Sequence, residues 1–197
     1  MIRYRSTTDI ENSFYQHRVA MFGLAIGTLS VLGLISRIIL GVGKESAGYL
    51  TSTHLPSAIA SALLLAMWLL LRRGSYKWGF VHTVEIIGVI GAIISLSYMS
   101  AVIPIKERPE FTVLLAVVFT MVGRAIYIPG TAGHTITINF LAWIPMVGIL
   151  HWVYSSAAQK GVVLPYTPTD ASIGISMWWL FFTLLCAMAT HVIFGLR

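Results

Sequence analysis

The chain has 197 residues, of which 57% are hydrophobic and only 10% are charged. A soluble domain carries about 25% charged residues because its surface faces water, so this composition excludes an ordinary soluble domain. The net charge of +6 comes from Lys and Arg that are dispersed in short segments between apolar runs, a distribution that follows membrane topology and argues against nucleic-acid binding.

Six apolar runs approach or exceed the roughly 20 residues that a helix needs to cross a bilayer. We therefore predict an all-α fold, a polytopic membrane bundle of six transmembrane helices over residues 19–197, preceded by a cytoplasmic segment, residues 1–18. The first run is too long for the apolar region of a signal peptide, so we expect no cleavage. The predicted helices span about residues 19–43, 55–71, 79–103, 111–128, 136–156 and 173–196.

The distribution of Lys and Arg between the runs predicts the orientation of the bundle. Eight of them lie on the side of the amino terminus and four on the other side, and the positive-inside rule places the richer side in the cytoplasm. Both termini are then cytoplasmic (N-in/C-in), as in a multi-pass protein of the bacterial inner membrane. The eight are Arg3, Arg5, Arg18, Arg72, Arg73, Lys77, Arg124 and Arg197, and the four are Lys44, Lys106, Arg108 and Lys160.

Three charged residues, Arg37, Glu85 and Arg124, fall within the predicted helices. A charge at the centre of a membrane helix costs about 2.5–3.5 kcal/mol, so such residues usually mark function or a paired contact. Glu85 lies roughly 10 Å from the cytoplasmic end of its helix and Arg124 lies at a similar depth, so we predict an ion pair between them. The pair is either a static staple or a switch that breaks during signalling, unless Arg124 extends to the headgroups instead. Arg37 lies near the outer end of the first helix and is interpreted as an outer-leaflet or ligand contact.

Small residues predict where helices pack closely. Gly23 and Gly27 form a GxxxG spacing in the first helix, and Gly88 belongs to a small-residue stripe of the third helix. Such faces let helix backbones approach each other, either within one chain or at a dimer seam. Pro145 is expected to kink the fifth helix. The predicted partners are the lipid bilayer and either further copies of the chain or other membrane subunits, with no nucleic acid.

Cofactor and catalytic signatures are missing. The single cysteine, Cys186, can form no disulfide within the chain. Among the six histidines, only His82 and His191 lie deep enough to be considered as a haem pair, and their spacing does not enforce that geometry. The chain has no Walker, HExxH or GxSxG motif. We therefore predict no metal, no cofactor and no catalytic residue.

Four motifs, taken together in their order, resemble those of one protein family. The chain from about residue 18 onward resembles the N-terminal six-helix membrane domain of large bacterial receptor serine/threonine protein kinases of the myxobacterial type. The motifs are residues 68–74 (WLLLRRG), 85–88 (EIIG), 124–129 (RAIYIP) and 192–197 (VIFGLR).

The resemblance implies a membrane anchor and sensor domain of a signal-transduction protein, in which Arg197 is a junction to a cytoplasmic kinase module. The chain has no kinase Gly-rich loop, HRD or DFG motif, so no kinase residue can be assigned and enzymatic activity is left open. The alternative is a structural accessory subunit of a larger membrane complex, and a third interpretation is a small transporter or channel.

Overall fold

The computed structural model describes residues 7–41 and 47–194. Within these ranges the chain forms six long α-helices, no strand, and one short 3-10 helix at Ile105–Glu107. The predicted all-α class is therefore confirmed. The helices are α1 (Thr7–Gly41), α2 (Ala47–Leu71), α3 (Trp78–Val102), α4 (Pro109–Tyr127), α5 (Ala132–Gln159) and α6 (Pro168–Phe194).

All six helices of the described part of the chain are long and apolar enough to cross a membrane. Their outward faces carry large apolar side chains, such as Leu115, which is 71% exposed, and Met177, which is 69% exposed. Apolar surface on this scale is what a lipid-facing bundle presents, since contiguous exposed patches are rare on soluble monomers. The chain therefore has the architecture of a multi-pass membrane protein.

Several helices begin earlier than hydropathy predicts, because polar residues in their first turns find partners inside the bundle or at caps. Helix α1 begins at Thr7, within the segment predicted to precede the membrane, and its membrane-spanning part runs from Glu11 to Ile39. Helix α5 begins at Ala132 because the Thr131 side chain accepts a hydrogen bond from the His134 amide and caps it. Thr167 caps α6 in the same way through the Asp170 amide.

Helix α3 lies at the centre and contacts α1, α2, α4 and α5. Helices α1 and α2 pack along each other, as do α5 and α6, and α4 also contacts α1 and α6. We call the end of the bundle where α2 ends and α3 begins the Arg72 end. The opposite end, where α4 begins, is the Arg108 end.

Gly23 and Gly27 lie at the contact between α1 and α2. A Cβ atom on Gly23 would lie 2.6 Å from the Leu64 carbonyl oxygen, and one on Gly27 would lie 3.2 Å from the Leu65 nitrogen. The two backbones therefore touch, and this GxxxG face is used within one chain. Gly88 faces the side chain of Met67 on α2, with its Cβ position 3.1 Å from the sulfur.

Two further features of the bundle bear on the predicted packing. Gly123 of α4 makes a close contact that the sequence did not predict, since its Cβ would lie 2.5 Å from the Ile26 side chain. Pro145 lies inside α5, which continues past it to Gln159. Its kink stays a prediction.

Candidate functional site

Glu85 and Arg124 lie in contact between α3 and α4. Both the Nη2 and the Nε atoms of Arg124 bind the same carboxylate oxygen, Oε1 of Glu85, at 2.7 Å and 2.9 Å. The two side chains are 0% and 1% exposed, which makes Arg124 one of the largest fully buried side chains described. A buried carboxylate and guanidinium must be paired and hydrogen-bonded to offset their desolvation.

The second oxygen of the Glu85 carboxylate, Oε2, is held by other residues. Tyr15 of α1 donates its hydroxyl hydrogen to this oxygen. His82, one helical turn before Glu85, places Nδ1 3.3 Å from Oε2 and 3.4 Å from the Tyr15 hydroxyl. The i, i+3 spacing on α3 puts His82 and Glu85 on one face of the helix. The carboxylate therefore joins α1, α3 and α4.

Arg124 also connects this cluster to the last two helices. Its Nη1 atom lies 3.5 Å from the Thr135 hydroxyl of α5, and that hydroxyl lies 3.1 Å from Thr190 of α6. Thr190 donates to the Cys186 carbonyl at 2.8 Å, so Thr135 is the donor to Thr190. Both threonines are buried. A continuous set of polar contacts thus runs from α1 to α6 across the Arg72 end.

The histidine that lies beside His82 is His134 of α5. His191, which the sequence pairs with His82 by depth, is exposed. The His82 and His134 ring centroids lie 4.9 Å apart, and Trp78 stacks on His82 with its ring centroid also 4.9 Å away. The Nε2 atom of His134 is buried, with no hydrogen-bond partner among the described residues. One ligand atom each from His82, Glu85 and His134 lie within 4.8 Å of one another.

Arg37 lies apart from this cluster. Its Nη1 atom lies 3.9 Å from the Met99 sulfur, near the carboxyl end of α3, and the side chain is half-buried. It therefore belongs to the Arg108 end of the bundle, as its place in the sequence predicts.

A second buried carboxylate, Glu110, lies at the Arg108 end, and its burial was not predicted from the sequence. Glu110 is 4% exposed and accepts hydrogen bonds from Tyr154 at 2.5 Å and from Arg108 at 2.9 Å. Arg108 also contacts the Tyr166 hydroxyl and its ring. Desolvation lowers the pKa of Arg108, but the contacts with Glu110 and Tyr166 outweigh it and raise the pKa above its usual value.

The signal that could have located Glu110 is local. Pro109 at the first position of α4 is favoured at helix starts, and an acidic residue in the first turn is favoured by the helix dipole. This pattern indicates that Glu110 is already helical rather than in a loop. Its partner Tyr154, however, comes from α5, and nothing in the sequence pairs the two.

Gln16 of α1 holds the connection between α2 and α3. Its side-chain amide donates to the Leu71 carbonyl at 2.8 Å and to the Gly74 carbonyl at 3.0 Å, and its carbonyl accepts from the Tyr76 amide at 3.0 Å. Asn12 adds a hydrogen bond to the Tyr76 carbonyl at 2.6 Å. The start of α1 is therefore fixed directly beside the Glu85 cluster.

No family model, curated protein or solved structure matches the chain. We call Tyr15, His82, Glu85, Arg124 and His134 the Glu85 cluster; its buried ion pair is the main polar feature between the helices at the Arg72 end.

Proposed function

We propose that this chain is the membrane anchor and sensor domain of a bacterial signal-transduction protein, coupled to a cytoplasmic serine/threonine kinase module that follows α6. The six helices would lie in the inner membrane with both termini in the cytoplasm. Two features of the sequence support this proposal: the four ordered motifs, which resemble those of receptor kinases, and the excess of Lys and Arg on the side of the termini.

The observation that carries the proposal is the set of polar contacts that links Glu85 to α6. Glu85 binds Arg124, Arg124 reaches Thr135, and Thr135 binds Thr190 near the end of α6. Because α6 is the helix that would lead to the kinase module, a change at the cluster has a direct mechanical route to the attached domain.

The buried pair also suits a discrete switch rather than a gradual response. Removing one partner from a buried ion pair costs about 3–5 kcal/mol because the other charge is left uncompensated. A stimulus that shifts α1 or α3 therefore either leaves the pair intact or moves the helices to a second arrangement that satisfies both charges. In an oligomer, such a rearrangement would change the proximity of the attached kinase domains.

The test uses the full protein encoded by the reading frame that contains this chain. We expect the frame to continue past Arg197 into a kinase domain, and Glu85→Gln to change autophosphorylation at least several-fold in proteoliposomes. Glu11→Gln, at an exposed position of the same end, is the matched control and should leave it unchanged. A frame with no kinase, or equal autophosphorylation in both variants, would overturn the proposal.

The exposed face of α6 favours a second candidate, an accessory subunit of a larger membrane complex. Met177, Leu180, Leu184 and Met188 are all more than half exposed, and their helical spacing forms one apolar stripe. A neighbouring subunit could cover this stripe as well as lipid does. Purification from native membranes in mild detergent tests it, because an accessory subunit copurifies with fixed stoichiometric partners.

A further inference from the structure

We propose that His82, Glu85 and His134 form a binding site for one divalent transition-metal ion, best matched by Zn²⁺. The three residues come from α3 and from the first turn of α5. This inference does not depend on the signalling role, since it concerns only the side chains of this chain.

The distances fit a tetrahedral ion. Zn²⁺ binds imidazole nitrogen and carboxylate oxygen at about 2.0–2.2 Å, so neighbouring ligand atoms in a tetrahedral site lie about 3.3–3.5 Å apart. The Nδ1 atom of His82 lies 3.3 Å from Oε2 of Glu85. The ligand atom of His134 completes the group within 4.8 Å, so a closure of about 1–1.5 Å brings it into bonding range.

The unsatisfied nitrogen of His134 is an independent indication of a ligand. Its Nε2 atom is buried and finds no hydrogen-bond partner in the described part of the chain. Buried polar groups in native proteins are nearly always satisfied by protein, water or an ion. A metal ion bound through Nε2 would remove this deficit, and imidazole is the commonest protein ligand for such ions.

The surroundings of the three ligands resemble the outer shell of a metal site. Arg124 binds only Oε1 of Glu85, so Oε2, which also accepts a hydrogen bond from Tyr15, could bind the ion while Arg124 fixes the carboxylate. Tyr15 donates to Oε2, with its hydroxyl 3.4 Å from Nδ1 of His82, and Trp78 stacks on the His82 ring. Such outer contacts orient ligands and tune affinity.

The ligand set selects the class of ion. Two imidazoles and one carboxylate suit Zn²⁺ and its neighbours, whereas Mg²⁺ and Ca²⁺ require oxygen ligands. The side chain of His82 is 22% exposed, which leaves a route for the ion from the Arg72 end. Three protein ligands leave the fourth position of a tetrahedral ion for water.

The experiment measures binding to the purified, tag-free chain in lipid nanodiscs. We expect one Zn²⁺ per chain in competition with a chromogenic chelator, and the absorption bands of tetrahedral Co²⁺ when cobalt replaces zinc. His82→Ala and His134→Ala should each weaken binding at least about tenfold, since even loss of an outer contact costs 10–100-fold. His151→Ala and His191→Ala, at exposed positions, should bind as the unchanged chain does.

A second measurement, the Tm with and without Zn²⁺, distinguishes loss of the metal site from poor folding of a variant. Zn²⁺ should raise the Tm of the unchanged chain and of His151→Ala, but not that of His134→Gln, because a ligand stabilises only the state that binds it. The metal site would be overturned if the unchanged chain does not bind Zn²⁺, or if His82→Ala and His134→Ala bind it as tightly as the unchanged chain does. Neither result bears on kinase coupling, which is measured on the full protein.

Discussion

Tyr15 donates a hydrogen bond to Oε2 of Glu85, the carboxylate oxygen that the nitrogens of Arg124 do not bind. Tyr15 of α1 and Arg124 of α4 thus bind different oxygens of the same carboxylate. The start of α1 is therefore part of the polar cluster, and its contribution can be measured.

Tyr15→Phe removes one hydrogen bond to a buried charge and keeps the ring. We expect the free energy of unfolding to fall by about 1.5–3 kcal/mol, the usual value for a hydrogen bond to a charged group. Reversible unfolding in mixed detergent micelles measures it. Tyr98→Phe, at a position 50% exposed, should change stability by less than about 0.5 kcal/mol, and equal effects of the two would contradict the assigned contact.

The Glu85–Arg124 pair predicts that the stability losses of its two single variants do not add up in the double variant. Glu85→Gln or Arg124→Gln alone should cost about 3–5 kcal/mol because each leaves one buried charge uncompensated. The double variant should recover a large part of this loss, since it removes both charges. A double-mutant cycle in the same unfolding assay gives the coupling energy, and additive losses would mean that the two charges do not interact in the membrane.

The contact between α1 and α2 predicts that alanine destabilises the protein at Gly23 but stabilises it at Gly33, which lies on the same helix. Gly23→Ala would place a methyl group 2.6 Å from the Leu64 carbonyl oxygen and must push the helices apart, so we expect a loss of about 1–3 kcal/mol. The added methyl group of Gly33→Ala meets no heavy atom of another described element within 4 Å. It should stabilise α1 by up to about 1 kcal/mol through helix propensity. Thermal unfolding of the two variants separates these outcomes, and similar Tm shifts would contradict the packing.

The proposed orientation predicts which end is accessible from outside the cell. Val163→Cys, in the exposed connection between α5 and α6, should react with a membrane-impermeant maleimide on intact spheroplasts. Ser75→Cys, in the connection between α2 and α3, should react only after permeabilisation. The unchanged chain is the control, because Cys186 is buried. The reverse labelling pattern would place both termini outside.

The depth of Glu85 and Arg124 was predictable from the sequence because helix rise and bilayer thickness are fixed quantities. Two antiparallel helices that carry opposite charges at matching depths leave few other arrangements, and the structure places the two side chains in contact. The role of α3 as the central helix was less accessible. The central position of α3 depends on which helix faces pack against each other. Because the helices are apolar on nearly all sides, their sequences do not indicate which faces are buried.

Other members of the cluster were missed for identifiable reasons. Tyr15 and Gln16 precede the first apolar run, so hydropathy predicts that they face water. Their partners are instead the buried Glu85 carboxylate and the backbone of the connection between α2 and α3. The contact of His134 with His82 was not predicted because α5 begins at Ala132, after the Thr131 cap, and this is earlier than the apolar run begins. Contacts between residues far apart in sequence, such as Tyr154 with Glu110, leave no local pattern.

The separation of Glu85 from Arg124 along the chain has a consequence for biogenesis. The two residues are 39 positions apart, so at synthesis rates of about 5–20 residues per second Glu85 is made roughly 2–8 s before Arg124. Tyr15, in contrast, is made 70 residues before Glu85. During insertion, Tyr15 of α1 is therefore available to donate a hydrogen bond to the Glu85 carboxylate before Arg124 has been made. The Arg124 guanidinium then completes the contacts of the carboxylate.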